Sequence, residues 1–269
     1  MAKIVWIASY PKSGNTWLRF LLANLLHNKP IVSSAEVRLI VPDIHEGIIG
    51  RHLWGPQTTL IKTHWAFNTQ FPLREDTVGI VHLVRHPVAT LESNQNYAIN
   101  RSGSLTRQAT EEQVAELARS FVDGFIKNGG HPQFQQHGIG TLEQHVASWS
   151  SPIIRLPRLR VRYEDLRADT AGELGRIGKF LNIERSEADI AAAVARSAFE
   201  EMRRIEALEI GKKQEGIFFQ SRNEAAIEAG LRFVGRTAEG RSRYSLTEDQ
   251  ENAARQRFAA LIAQLGYER

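Results

Sequence analysis

The chain reads as an α/β protein, a three-layer α/β/α fold around a central parallel sheet. Three observations predict it. Short β-branched apolar runs alternate with stretches of helical period, the runs end on polar or charged residues, and the first run passes through a Pro/Gly loop directly into a helix. The first run, Ile4-Val5-Trp6-Ile7-Ala8, has no polar interruption and predicts a strand buried on both faces. Ser9 to Asn15 is loop. Trp17, Leu18, Leu21, Leu22, Leu25 and Leu26 then recur at helical spacing until Asn28-Lys29-Pro30 stops them. Thr59 to His64 predicts a second strand, and Gly79 to Arg85 a third, closed by His86-Pro87 with a helix over Ala89 to Asn94. A fourth strand is predicted over Leu159 to Tyr163. Further helices are predicted over Thr170 to Leu181, Glu187 to Ile210, and Thr247 to Leu265, the last with an N-cap at its start.

Residues 96–150 break this rhythm. One helix is predicted near Glu111 to Lys127, followed by the Gly/His/Gln-rich run Asn128 to Gly140. Long polar insertions of this kind often serve as lids or binding loops, so a mobile cap is expected within a single domain spanning residues 1–269.

Composition excludes several classes. The 269 residues include 42% hydrophobic and 24% charged side chains, which fits a globular chain and neither a disordered nor a coiled-coil one. With no cysteine there is no disulfide framework and no thiolate metal site. The formal net charge of +4 suits an anionic small ligand or a nucleic acid without choosing between them. The first residues lack the unbroken apolar core of a secretory signal, and no window is apolar enough to span a bilayer; a cytoplasmic protein is expected.

Ligands of open α/β sheets bind beyond the carboxyl ends of the strands, so the strand ends were read together. The first carries Tyr10-Pro11-Lys12-Ser13-Gly14-Asn15-Thr16-Trp17. A loop of this kind entering a helix aims backbone N–H groups at one spot, and the helix N-terminus adds partial positive charge. Lys12 contributes a full charge; Ser13, Asn15 and Thr16 contribute donors. The Walker A pattern GxxxxGK[ST] is absent, which disfavours the usual kinase or ATPase loop.

The octet Tyr10–Trp17 resembles the 5′-phosphosulfate loop, YPKSGTTW, of cytosolic-type sulfotransferases, and other motifs of that family follow in order. Val84-Arg85-His86-Pro87, with Ser93 eight residues beyond Arg85, resembles the family's 3′-phosphate motif. Arg162-Tyr163-Glu164-Asp165-Leu166 is similar to its YEDL element, which implies that Tyr163 lies near an adenine. Phe233 to Gly240 resembles its late loop FxRKGxxG, but Gly235 stands in place of a basic residue and Thr237 in place of a glycine. That leaves Arg236, with Thr237 and Gly240, as the expected contact there. Lys62-Thr63-His64 resembles the family's KTH. The resemblance implies a P-loop-like phosphosulfate-binding loop, 3′-phosphoadenosine 5′-phosphosulfate (PAPS) as donor, 3′-phosphoadenosine 5′-phosphate (PAP) as product, His64 as general base and no metal. It covers Lys3 to about Gly240 and is weak in 96–150.

The chemistry matches these residue types. Sulfuryl transfer needs positioning and charge stabilisation, as phosphoryl transfer does. An imidazole suits removal of the acceptor proton. Lys12, with Lys62 assisting, is the expected cation at the leaving group. For the acceptor, His45, Trp65, Phe67 and Tyr97 are candidate contacts, although loop packing is the slightly favoured reading of each. Asp43 and His45 would suit a polar or cationic acceptor. The phrases WIASYPKSGNTW and VPDIH are similar to bacterial enzymes that sulfate natural products, which implies secondary metabolism and a small-molecule hydroxyl or amine. Two other readings stand beside this one: a P-loop nucleotide kinase, and a binding module for anions or nucleic acid. The dispersed basic residues argue against nucleic acid. The sequence leaves open the acceptor, the choice between O- and N-sulfation, and whether the chain forms a homo-oligomer.

Overall fold

The computed structural model describes residues 3–47, 58–101, 109–151, 153–220, 232–234 and 245–267. Strands β1 (Lys3–Ser9), β2 (Thr58–Thr63), β3 (Thr77–Val84) and β4 (Arg158–Arg162) form one parallel sheet in the order β2-β1-β3-β4. The connection from β1 runs to one side and the next strand returns to the other. The crevice at the carboxyl ends of β1 and β3 is therefore the switch point where such sheets bind ligands.

The alternation of β1 separates two cores. Val5 and Ile7 pack with Leu60, Val81 and Leu83 under helix α1 (Asn15–His27). Helices α8 (Thr170–Phe180) and α9 (Glu187–Arg196) join that side through Leu174, Ile177 and Ala193. Ile4, Trp6 and Ala8 face the other way, with Ile61, Ile80, Phe71 and Trp149. Trp6 is fully buried and its indole N–H donates to Thr77 Oγ1 at 2.9 Å. Both faces are thus covered, as the continuous apolar run of β1 requires.

Helices absent from the sequence reading are α2 (Ser34–Ile40), α5 (Pro132–Gln136), α6 (Leu142–Ser150), α7 (Tyr163–Ala168) and α11 (Ile217–Gln220). The helix after β3, α3, is longer than expected, Pro87–Arg101. The single helix expected over 187–210 is two, α9 and α10 (Phe199–Lys212), parted at Ser197, whose N–H bonds the carbonyls of Ala193 and Val194. The helix expected over 247–265 is likewise two, α12 (Glu248–Arg257) and α13 (Ala259–Leu265), parted at Phe258, which is buried in a core. In both places helical periodicity continues across the break, which is why the sequence pattern misses it.

The expected insertion is helical in its described part. Helix α4 (Glu111–Asn128) opens with a capping box at Thr110 and Gln113, and α6 with one at Thr141 and Gln144. Val122, Phe125, Leu142 and Val146 are buried with α3, α12 and α13, so this segment forms part of the core as well as one wall of the cavity described next.

Candidate functional site

A cavity of about 1440 Å³ opens at the carboxyl ends of the strands. Its lining includes Lys12, Gly14, Asn15, Thr16 and Trp17 from the first loop and helix, Lys62 and His64 from the end of β2, and Arg85, Ser93, Tyr97 and Tyr163. Tertiary folding therefore brings together residues spread over some 150 positions of sequence. Ser13 is 1% exposed and does not line the cavity. Trp65 and Phe67 do not line it either: the Trp65 ring packs against His45, and Phe67 packs against Phe71 and Trp149. Arg236, Thr237 and Gly240 lie outside the described residues.

The first loop is held from behind. Arg85 Nη1 donates to the Lys12 carbonyl at 3.1 Å, and Asn94 Nδ2 to the Pro11 carbonyl at 3.2 Å. Lys12 (φ 71°) and Gly14 (φ 98°) both adopt left-handed backbone, making the kind of concave main chain that collects anions. A Cβ on Gly14 would stand 2.4 Å from the Tyr163 ring, so only glycine fits beneath that ring. Asn15 is spent internally: its Nδ2 donates to Ser9 Oγ at 3.0 Å and to the Ile7 carbonyl at 3.3 Å. No side chain caps the N-terminus of α1. Among the described residues, its first N–H groups therefore have no side-chain acceptor, and they sit at the cavity.

Charge and aromatic faces alternate around this loop. The Lys12 ammonium lies 4.5 Å from the Tyr97 ring centroid and 4.6 Å from that of Phe233. The Arg85 guanidinium stacks 4.6 Å from the Tyr163 ring, and its buried Nε has no partner among the described residues. Trp17 meets Tyr163 edge-to-face, its indole N–H bound to the Ser197 carbonyl at 3.1 Å. An anionic group fits such a place: a cradle only glycine permits, a cation with an unused buried donor, and a helix N-terminus.

The end of β2 carries two titratable side chains, Lys62 and His64. His64 Nδ1 lies 2.7 Å from the Ser9 carbonyl, which can only accept. Nδ1 therefore holds the proton and the lone pair sits on Nε2. Burial and the neighbouring Lys62 charge hold His64 well below the usual imidazole value, so this tautomer is neutral at pH 7. The Lys62 ammonium is 2.7 Å from Asp43 Oδ2. Burial lowers Lys62 to about 8. For Asp43, burial pushes upward but the Lys62 and Arg19 charges prevail and keep it below the normal carboxylate range. The pair is ionised at neutral pH. Asp43 is thus a partner of Lys62, and the sequence-based idea that it serves a cationic acceptor gives way to this pairing.

Several lining residues escaped the sequence reading: Arg19, His131, Gln133, Phe134 and His137; Phe233, the first residue of the late-loop motif, lines the cavity too. Arg19 sits on the apolar-looking helix α1, where it donates twice to the Val41 carbonyl. The His131-Pro132 pair was a usable signal, since it marks a helix start, with His131 as N-cap. Among the described residues, no group of three or more His, Asp or Glu is placed to hold a metal ion. No helix among them is long and apolar enough to cross a membrane.

Comparison with known proteins gives a consistent result. The family model described as "Sulfotransferase domain" matches residues 3–266. Cytosolic sulfotransferase 15 of Arabidopsis thaliana is 25% identical over 232 residues, 79% of this chain and 61% of that protein. Cytosolic sulfotransferase 12 of the same plant is 27% identical over 230 residues, 78% of this chain and 66% of that protein. The chain thus spans less than two thirds of the length of these relatives. Among solved structures, mouse sulfotransferase SULT7A1 complexed with PAP superposes with a TM-score of 0.61 at 17% identity, over 97% of this chain and 84% of that one. Retinol dehydratase in a complex with retinol and PAP does so with a TM-score of 0.58 at 17% identity, over 96% and 81%. These superpositions establish the shared fold.

Proposed function

This chain belongs to the sulfotransferase domain family, and from that premise we propose that it moves a sulfuryl group from PAPS to a hydroxyl or amine of a small-molecule acceptor, releasing PAP. One observation carries the reading. His64, whose Nδ1 is committed to the carbonyl of the last β1 residue, lines the same cavity as the anion-suited loop that begins one residue later. A neutral base thereby stands beside an anion cradle.

The donor supplies a sulfur centre already attached to a stable leaving group. In the proposed reaction, Lys12 and the amides at the start of α1 hold anionic oxygens and the charge that grows on the leaving side. Lys62 assists, its orientation fixed by Asp43. Arg85, with its spare Nε, and Ser93 suit a second phosphate. Trp17 and Tyr163 offer aromatic walls for a base. His64 Nε2 takes the acceptor proton. The cation work falls to side chains, so the proposal includes no metal. The stretch His131–Ile139 is read as an acceptor wall, and its closing as a cap belongs to the same proposal, as do a cytoplasmic setting, a place in secondary metabolism and a single catalytic domain.

The test pairs binding with turnover. PAP is expected to raise the melting temperature where ATP-Mg and an oligonucleotide do not. His64→Ala is expected to lower transfer from labelled PAPS by about 10²- to 10⁴-fold with the PAP-induced shift retained. Loss of both together would remove His64 from the proposed role. A preference for ATP-Mg would favour the kinase reading.

A further inference from the structure

Arg85 and Tyr163 form a stacked pair on the cavity wall, 4.6 Å from guanidinium to ring centroid. The residues that follow them in the chain are joined directly. The His86 backbone N–H donates to Glu164 Oε1 at 3.1 Å. The other carboxylate oxygen, Oε2, accepts from the Tyr267 hydroxyl at 2.6 Å. One carboxylate thus ties the residue before α3 to the first turn of α7, and Tyr267 holds that carboxylate. Neither Glu164 nor Tyr267 lines the cavity; they stand behind the pair that does.

Tyr267 is itself held on several sides. Gly266 takes left-handed backbone (φ 76°) at the end of α13, and the Tyr267 N–H bonds the Ile262 carbonyl at 3.1 Å. Arg162, at the end of β4, donates to the Gly266 carbonyl at 2.6 Å and sets its guanidinium 4.5 Å from the Tyr267 ring centroid. The His86 ring meets the Tyr267 ring edge-to-face at 5.1 Å. Burial, with the Glu164 charge, raises the Tyr267 hydroxyl above its ordinary value, so it keeps its proton and donates at neutral pH. A short bond from a hydroxyl to a carboxylate belongs to the strong class of hydrogen bonds.

We propose that Tyr267 is a positioning residue for the 3′-phosphate site: by holding Glu164 it fixes the start of α3 against α7, and so aims the Arg85 guanidinium at the donor's second phosphate. Without the hydroxyl, Glu164 keeps its bond to His86 but loses the anchor on its far oxygen. Arg85 then keeps its charge and loses its orientation. A guanidinium fork gains much of its hold on a phosphate from planar, two-pronged geometry, so orientation matters as well as charge. The 5′ side depends on Arg85 less. The loop there is also held by Asn94, which donates to the Pro11 carbonyl at 3.2 Å, and its cation is Lys12.

This inference rests on the PAPS-dependent reading, and the experiment separates the two. Calorimetry compares PAP with 5′-AMP, which is PAP without its 3′-phosphate, on the wild-type chain, Tyr267→Phe, Glu164→Ala and Glu164→Gln, with melting temperatures recorded alongside. Tyr267→Phe keeps the ring and deletes only the hydroxyl. It is expected to weaken PAP by about three- to tenfold, the equivalent of one hydrogen bond, and to leave 5′-AMP affinity unchanged. Glu164→Ala, which removes both bonds, should weaken PAP at least as much. Glu164→Gln, whose amide can accept from the His86 N–H and donate to the Tyr267 hydroxyl, should recover most of that loss. In an Arg85→Ala background, Tyr267→Phe should cause no further loss, because nothing remains to be aimed. An unchanged PAP affinity in Tyr267→Phe, an equal fall for PAP and 5′-AMP, a Gln variant no better than Ala, or an undiminished loss in the Arg85→Ala background would each overturn the role of Tyr267. A wild-type chain that binds PAP no tighter than 5′-AMP would overturn the donor reading, and this proposal with it.

Discussion

Tyr10–Trp17 and His131–Ile139 face one cavity, yet they are built under different constraints. The first is a continuous stretch distinguished by its backbone conformation: two left-handed residues, a glycine under an aromatic ring, and a helix N-terminus. The second belongs to an end assembled from separate pieces. His131, Phe134 and His137 come from the segment after α4, and they line the same cavity as His45 and His64. Within it, His131 stacks on Phe134 at 4.4 Å and its backbone N–H donates to the Tyr10 hydroxyl at 3.1 Å, so the two ends touch. The loop end relies on main chain and permanent charge, the other on imidazole and aromatic rings. A ligand with fixed phosphates needs the former; an acceptor that differs from enzyme to enzyme can be served by the latter.

Gly14→Ala is the sharpest way to break the loop end. The backbone alone should cost about 1–3 kcal/mol for a non-glycine residue at φ 98°. Displacing the Tyr163 ring adds to it. We expect a clear fall in melting temperature and a loss of PAP affinity beyond what Arg85→Ala produces. Arg85→Ala removes a guanidinium that supports the Lys12 carbonyl and has a donor to spare. PAP affinity should fall by about 10- to 100-fold, the range for charge-assisted hydrogen bonds, as read by calorimetry. If neither variant changes PAP binding, the loop end is not the anion site.

Acid should strike the histidine end first. His64, His82 and His145 are all held below the normal imidazole value by burial, His145 to about 3. The unfolded chain takes up protons near pH 6.5 that the folded chain refuses. Their contribution to stability is therefore complete above about pH 6.5 and is lost as pH falls toward the folded values, by up to about 1.4 kcal/mol per pH unit for each histidine. Denaturation midpoints between pH 7 and 4 should fall, and His145→Gln should flatten that slope by one proton's worth. An unaltered slope would mean that His145 is not held neutral.

Tyr97→Leu gives the smallest expected effect and tests where the two ends join. It removes one of the two aromatic faces beside the Lys12 ammonium. A loss of about 0.5–1 kcal/mol corresponds to a two- to fivefold weaker PAP affinity, with Tyr97→Phe close to the parent.

The parallel sheet and the anion-suited loop were legible in the sequence itself, and the KTH triplet and the Arg85 motif through their resemblance to a family. Each is a short local pattern whose meaning depends on neighbours in the chain: an apolar run must be buried, and Lys-Ser-Gly before a helix must present N–H groups. The tertiary structure alone decided the rest. The break at Ser197 falls where the helix before it packs into one core through Ala193 and the helix after it into another through Met202 and Ile205, while at Phe258 the buried ring and both flanking helices share one core. The pairing of Asp43 with Lys62, and the bond from the His64 N–H to His45, depend on a turn lying against a strand 19 residues away. Hydrogen bonds and buried charges are satisfied across space, and spacing along the chain carries no record of which partner satisfies them.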